Sequence, residues 1–100
     1  MHVYNISFQI TPHLQEQWLL WMKSKFIPML VATDCFQSHQ FYELELTSDQ
    51  SPTYTMQLFA TTPENLAQFT ETFSSSLLDE LQKTWGDQCF HFVTTMRIVN

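Results

Sequence analysis

Apolar and polar residues alternate from the start of the chain. His2, Tyr4, Ile6, Phe8 and Ile10 fall on one side of a period-two pattern, and Val3, Asn5, Ser7 and Gln9 on the other. This predicts a half-buried strand over residues 2–10. Thr11-Pro12 follows as a helix start. A threonine can cap free N–H groups, and a proline fits the first helical position, where its missing N–H costs nothing. The helix predicted over 12–25 places Leu14, Trp18, Trp21, Met22 and Lys25 along one stripe. Leu19 and Leu20 widen its apolar arc beyond one packed face, so it would touch two surfaces. Pro28 breaks the pattern, and Phe26 to Ala32 is expected as a short second helix entered at a kink.

A second alternation covers 34–47. Phe36, Ser38, Gln40, Tyr42, Leu44 and Leu46 share one side; Cys35, Gln37, His39, Phe41, Glu43 and Glu45 share the other. Both sides are mixed, as suits an edge strand. Thr47 to Pro52 reads as a polar turn. Residues 53–61 give a third strand, with Tyr54, Met56, Leu58 and Ala60 opposite Thr55, Gln57 and Phe59. Thr62-Pro63 repeats the helix-start device. Leu66, Phe69, Phe73, Leu77, Leu81 and Trp85 then recur at threes and fours, and Gly86 ends the row as a residue able to take positive φ. Residues 89–99 alternate again, as a final strand.

The order strand, helix, strand, strand, helix, strand is the split βαβ of ferredoxin-like α+β domains. Two helices would cover one face of a four-stranded antiparallel sheet in a single domain spanning residues 1–100. Right-handed crossovers are expected to bring the first and third strands to the centre, parallel to each other, with the second and fourth as edges. The helix-covered face would carry Tyr4, Ile6, Phe8, Met56, Leu58, Phe92 and Met96. The open face would carry Asn5, His39, Phe41, Glu43, Gln57, Phe59, His91 and Arg97. That face is too apolar for a clean solvent face and too polar for a core. It suits a partly wet interface with a second copy of the chain. Across a two-fold interface Arg97, on one edge, could pair bidentately with Glu43 or Glu45 of the other copy; the alternative is a solvated charge near the chain end.

Composition narrows the functional classes. The 100 residues include one glycine and fifteen per cent aromatics. A single glycine excludes a P-loop and a dinucleotide-binding turn, both of which need several for close backbone approach to phosphate. The formal net charge is −6, with Lys23, Lys25, Lys83 and Arg97 as the only basic residues. Nucleic-acid binding draws its affinity from Lys and Arg on phosphate, so neither nucleic acid nor an anionic membrane is an expected partner. Two cysteines, Cys35 and Cys89, are too few for a disulfide framework and point to reduced thiols in the cytoplasm. The four histidines lack metal-ligand spacing, so no metal is expected. Cys89-x-His91 shares one strand face but lacks an orienting third group and an oxyanion hole. No catalytic residue and no cofactor is assigned. Trp18, Trp21 and Tyr42 are the pocket candidates, between helices and sheet, for a small apolar ligand.

Tyr4-Asn5-Ile6-Ser7, Trp18-Leu19-Leu20-Trp21-Met22, Ile27-Pro28-Met29-Leu30 with Thr33 and Phe36, and Tyr54-Thr55-Met56-Gln57 together resemble domain-of-unknown-function family 4286. The likeness runs over nearly the whole chain and implies a small bacterial cytoplasmic protein. More loosely, the architecture is similar to the dimeric α/β-barrel superfamily, which includes cofactor-independent monooxygenases and isomerases. That second likeness transfers no residues, and no Asn-Trp-His arrangement maps onto a haem-degrading member. The expectation is therefore a homodimeric module for a small ligand or protein, with a cofactor-independent monooxygenase or isomerase as the alternative.

Overall fold

The computed structural model describes residues 1–45 and 51–100. Four strands form one sheet in the order β2-β3-β1-β4: β1 is His2–Ile10, β2 is Ser38–Glu43, β3 is Thr53–Ala60 and β4 is Cys89–Arg97. The fold is ferredoxin-like. Every neighbouring pair is antiparallel, including β1 with β3. The parallel central pair expected from the crossovers is thus corrected. Each crossover skips one strand, so the parallel partners β1 and β2 are never adjacent. The second strand is also shorter than the alternation over 34–47 suggests. Leu46 and most of the expected turn, residues 47–50, lie outside the described residues.

The first helical stretch continues from residue 12 to residue 32. It consists of a 3-10 turn at Pro12–Leu14, α1 at Gln15–Trp21, a π turn at Met22–Phe26 and α2 at Ile27–Ala32. Pro28 therefore does not separate two helices. A proline lacks the N–H owed to the carbonyl four residues back and crowds that carbonyl. Here the preceding turn is widened, with the Ile27 N–H donating to the Met22 carbonyl, and the helix runs on. The second stretch has α3 at Pro63–Gln68, a π turn at Phe69–Phe73 and α4 at Ser74–Trp85.

The two Thr-Pro starts differ. The Thr62 hydroxyl accepts from the Asn65 N–H at 3.1 Å, a true N-cap. Thr11 makes no such cap. Its hydroxyl instead donates to the Gln88 carbonyl at 3.1 Å and lies 2.8 Å from the Gln88 side-chain oxygen. That ties the end of β1 to the residue before β4. Gly86 closes α4 at φ +56°, where only glycine is free of strain. Asp34 is the only other positive-φ residue among those described.

The core lies between the helices and the two central strands. Tyr4, Ile6, Phe8 and Ile10 of β1 and Tyr54, Met56 and Leu58 of β3 are buried against Trp18, Met22, Phe26, Leu30, Phe69 and Leu81. Phe69 sits edge-on to Tyr4 and to Phe36, with ring centroids 4.8 Å apart in each case.

Candidate functional site

Residues directly opposite in a β-ladder share a face, so the register assigns the sides of the sheet. Val3, Asn5, Ser7 and Gln9 of β1 oppose Phe59, Gln57, Thr55 and Thr53 of β3. Toward the other edge they oppose Met96, Thr94, Phe92 and Phe90 of β4. These residues, with Ser38, Gln40 and Tyr42 of β2, form the face without helices. Asn5, Gln57 and Phe59 stand there as expected.

His39, Phe41, Glu43, His91 and Arg97 stand on the other face. His39, Phe41 and Glu43 oppose the helix-side Leu58, Met56 and Tyr54; His91 opposes Phe8, and Arg97 opposes His2. Phe92 and Met96 accordingly move from the expected core to the open face. The reason is lateral coverage. The helices lie over β1 and β3, so edge strands need not turn their more apolar side inward. On β4 only Cys89 is buried, leaving Val93, Thr95 and Arg97 exposed even on the helix side.

The open face has a polar centre and an apolar margin. At the centre the Ser7 and Thr55 hydroxyls hydrogen-bond across strands at 3.1 Å, and Asn5 Nδ2 donates to Ser7 Oγ at 3.5 Å. Along β4, Phe90 is 62%, Phe92 52% and Met96 38% exposed. The two rings are 6.2 Å apart. At ~100 Å² of exposed side chain each, Phe90 and Phe92 form a patch of roughly 200 Å², and Met96 stands beyond Thr94 on the same face. Sequence reasoning missed Phe90, Phe92 and Met96 because alternation gives two sets on β4 without saying which faces the helices.

A second locus lies on the helix side, near the β2 edge. A cavity of about 200 Å³ is lined by Leu19, Lys23, Phe41, Tyr42, Glu43 and Tyr54. The Gln15 side-chain amide donates to the Tyr54 hydroxyl and, at 3.4 Å, to Glu43 Oε2. Burial raises the Tyr54 phenol above its ordinary value. The Gln15 bond works against that shift and the Glu43 carboxylate adds to it, so the group is a protonated donor at neutral pH. Of the pocket candidates, only Tyr42 lines this cavity. Trp18 is fully buried behind it, 5.0 Å from the Tyr54 ring and 6.1 Å from Phe41. Trp21 packs elsewhere, stacked on Phe26 and edge-on to Trp85.

Cys89 and His91 share the helix-side face as their spacing implies. Burial pushes the Cys89 thiol up to about 11, with the Trp18 indole beside it only partly offsetting the rise. Among the described residues the indole N–H itself has no partner of hydrogen-bond quality. Burial lowers His91 below its ordinary value. At pH 7 the pair is a neutral thiol beside a neutral imidazole, which is not an activated nucleophile. Among the described residues no three His, Cys, Asp or Glu side chains are grouped to hold a metal. Nor is any helix there long and apolar enough to cross a membrane.

The family model described as a domain of unknown function, DUF4286, matches residues 1–99. No curated protein matches the sequence. Solved structures are similar in fold at low identity. An ethyl tert-butyl ether D (EthD) family protein from Bacillus halodurans superposes with a TM-score of 0.75 at 11% identity, covering 99% of this chain and 100% of that one. HapK from Hahella chejuensis gives 0.71 at 9% identity, covering 99% and 93%. A dimeric ferredoxin-like protein from an uncultured marine organism gives 0.59 at 7% identity, covering 99% and 95%.

Proposed function

We propose that this chain, which belongs to the domain-of-unknown-function family DUF4286, works as a homodimeric binding module, a single domain over residues 1–100 whose two copies pack open face to open face. The observation that carries this reading is the exposed strip of Phe90, Phe92 and Met96 beside a polar centre on an uncovered sheet. Four strands about 4.8 Å apart and on average about 26 Å long span roughly 500 Å² in projection. Side-chain relief raises the accessible area toward the ~800 Å² per partner of a standard interface. One structure of similar fold is described as dimeric, which is consistent with the reading. The interface residues are then Asn5, Gln57 and Phe59 together with Phe90, Phe92 and Met96. His39, Phe41, Glu43, His91 and Arg97 point away from it and are left out.

The module binds a small ligand or a protein, and neither nucleic acid nor membrane, in keeping with its charge of −6. Its free, buried cysteines Cys35 and Cys89 favour work in a reducing bacterial cytoplasm. A cofactor-independent monooxygenase or isomerase is the second reading, favoured by the cavity beside the Tyr54 phenol.

The test places a nitroxide on Thr94→Cys and mixes that chain with isotope-labelled unmodified chain. Cys35 and Cys89 are buried and do not take the label. Intermolecular broadening is expected at the amides of Ser7, Gln57 and Phe59. Broadening confined to the outer surfaces of α1 and α4, or none at millimolar concentration, would overturn the assembly.

A further inference from the structure

We propose that the cavity between α1 and the β2 edge binds a single-ring aromatic acid that also carries a hydroxyl or N–H donor. The inference rests on the ligand-binding half of the reading above and is independent of the assembly, because the cavity lies on the helix side of the sheet.

Size sets the first limit. The cavity holds about 200 Å³, and an apolar cavity of ~150 Å³ accepts benzene. One ring with small substituents fits within it, and the space is open to solvent on its outer side. The walls set the second. Leu19, Phe41 and Tyr54 give an apolar, aromatic lining, with the Phe41 and Tyr54 rings stacked 5.7 Å apart at 24°. Trp18 packs behind these two rings. A flat ring gains area and quadrupole contacts against such walls.

Charge sets the third limit. Lys23 on the helical stretch and Glu43 on β2 line the same space. An ammonium only donates and a carboxylate only accepts. Both are exposed and hydrated, so a plain hydrocarbon would gain nothing from either. A cation would meet Lys23, and an anion without a donor would meet Glu43. A ring with an acid group at one end and a donor at the other answers both. Gln15 orients the acceptor: its side-chain amide donates to Glu43 Oε2 and to the Tyr54 hydroxyl, linking the two cavity walls. Glu43 is exposed, and the 3.4 Å bond from Gln15 biases it toward the cavity wall before any ligand arrives, which lowers the ordering cost of binding. Among the described residues the other cavities have no comparable hydrogen-bonded set; the cleft beside His2 and Arg97, for example, is wide and shallow.

The experiment titrates the full chain with para-hydroxybenzoate, benzoate and phenol, read by amide chemical shifts. Saturable shifts are expected at the Gln15 side-chain amide and at Lys23 and Phe41, with a Kd for para-hydroxybenzoate below about 1 mM. Tyr54→Phe and Glu43→Gln should each weaken it roughly tenfold. Lys23→Ala should weaken para-hydroxybenzoate and benzoate but leave phenol unchanged. Lys23 and Glu43 are exposed and Tyr54→Phe keeps the ring, so the dispersed spectrum of a folded chain is expected from all three variants. No saturable shift at these residues with any probe up to about 10 mM, or binding that none of the variants alters, overturns the proposal. Because the readout is local to each chain, failure here leaves the nitroxide test of the dimer unaffected, and the reverse holds too.

Discussion

Phe92→Ser separates two arrangements of β4 that the alternation alone leaves equal. With Phe92 turned toward the helices, the substitution would empty a core site and bury a hydroxyl, costing about 3–5 kcal/mol or more. In the structure Phe92 is 52% exposed on the open face. About 100 Å² of its ring is then buried within the chain, and losing that contact costs at most about 2.5 kcal/mol at ~25 cal/mol/Å². The other ~100 Å² is available to a second copy. Twofold symmetry doubles it to ~200 Å² per dimer, or about 5 kcal/mol as an upper bound on association. Ordering costs take a large share of such area-based values, so at least ~100-fold weaker dimerisation is expected.

The assay is urea unfolding at about 2 µM and about 200 µM, because a folded dimer makes the midpoint rise with concentration. The parent chain should show that rise. Phe92→Ser should remain folded and show a clearly smaller rise than the parent. Val93→Ser, on the other face of the same strand, should keep the concentration dependence. A Phe92→Ser chain that unfolds outright, or one whose midpoint still rises as the parent's does, would refute the reasoning.

Three further outcomes follow from local structure. Thr62→Ala removes the acceptor for the Asn65 N–H and should cost about 1 kcal/mol in the same unfolding assay. Gly86→Ala meets no atom within 4 Å of the added carbon, so its cost is backbone strain alone. About 1–3 kcal/mol is expected at φ +56°, and an unchanged midpoint would show that the turn relaxes. Burial holds His91 below its ordinary 6.5, so the unfolded chain takes up this proton first. Its contribution to stability is complete above pH 6.5 and is lost as pH falls from there through the lowered folded value. Unfolding at pH 7.5 and pH 5, parent against His91→Gln, should show a smaller acid loss in the variant.

The element order was readable because each strand and helix carries its own period, and Thr62-Pro63 and Gly86 mark the limits of the second helical stretch by local chemistry. The central strands also showed their faces, since Ile6 and Phe8 contrast sharply with Asn5 and Ser7. The edge strands did not. On β4, Phe90, Phe92 and Met96 compete with Cys89, His91 and Val93, and cross-strand register together with the reach of the helical layer decides between them. Both are tertiary properties. Asn5, Gln57 and Phe59 were therefore found on the open face, while His39, Phe41, Glu43, His91 and Arg97 were assigned to the wrong side.

The π turns at Met22–Phe26 and Phe69–Phe73 were also illegible. Each inserts a single wider turn that shifts later side chains around the axis while leaving the spacing of apolar residues nearly intact. Thr11 was misread for a different reason. Its hydroxyl had a competing partner at Gln88, distant in sequence and adjacent only once β1 and β4 have paired. The Gln15–Tyr54–Glu43 set combines a helix and two strands, and no spacing along the chain could have indicated it.

The central claim is that the open sheet face is covered by a second copy of the chain. Sedimentation equilibrium of the unmodified protein tests it most directly. A species of twice the 11.9 kDa chain mass is expected, dissociating on dilution, with its dissociation constant raised at least ~100-fold by Phe92→Ser. A single species of 11.9 kDa persisting to near-millimolar concentration would contradict it.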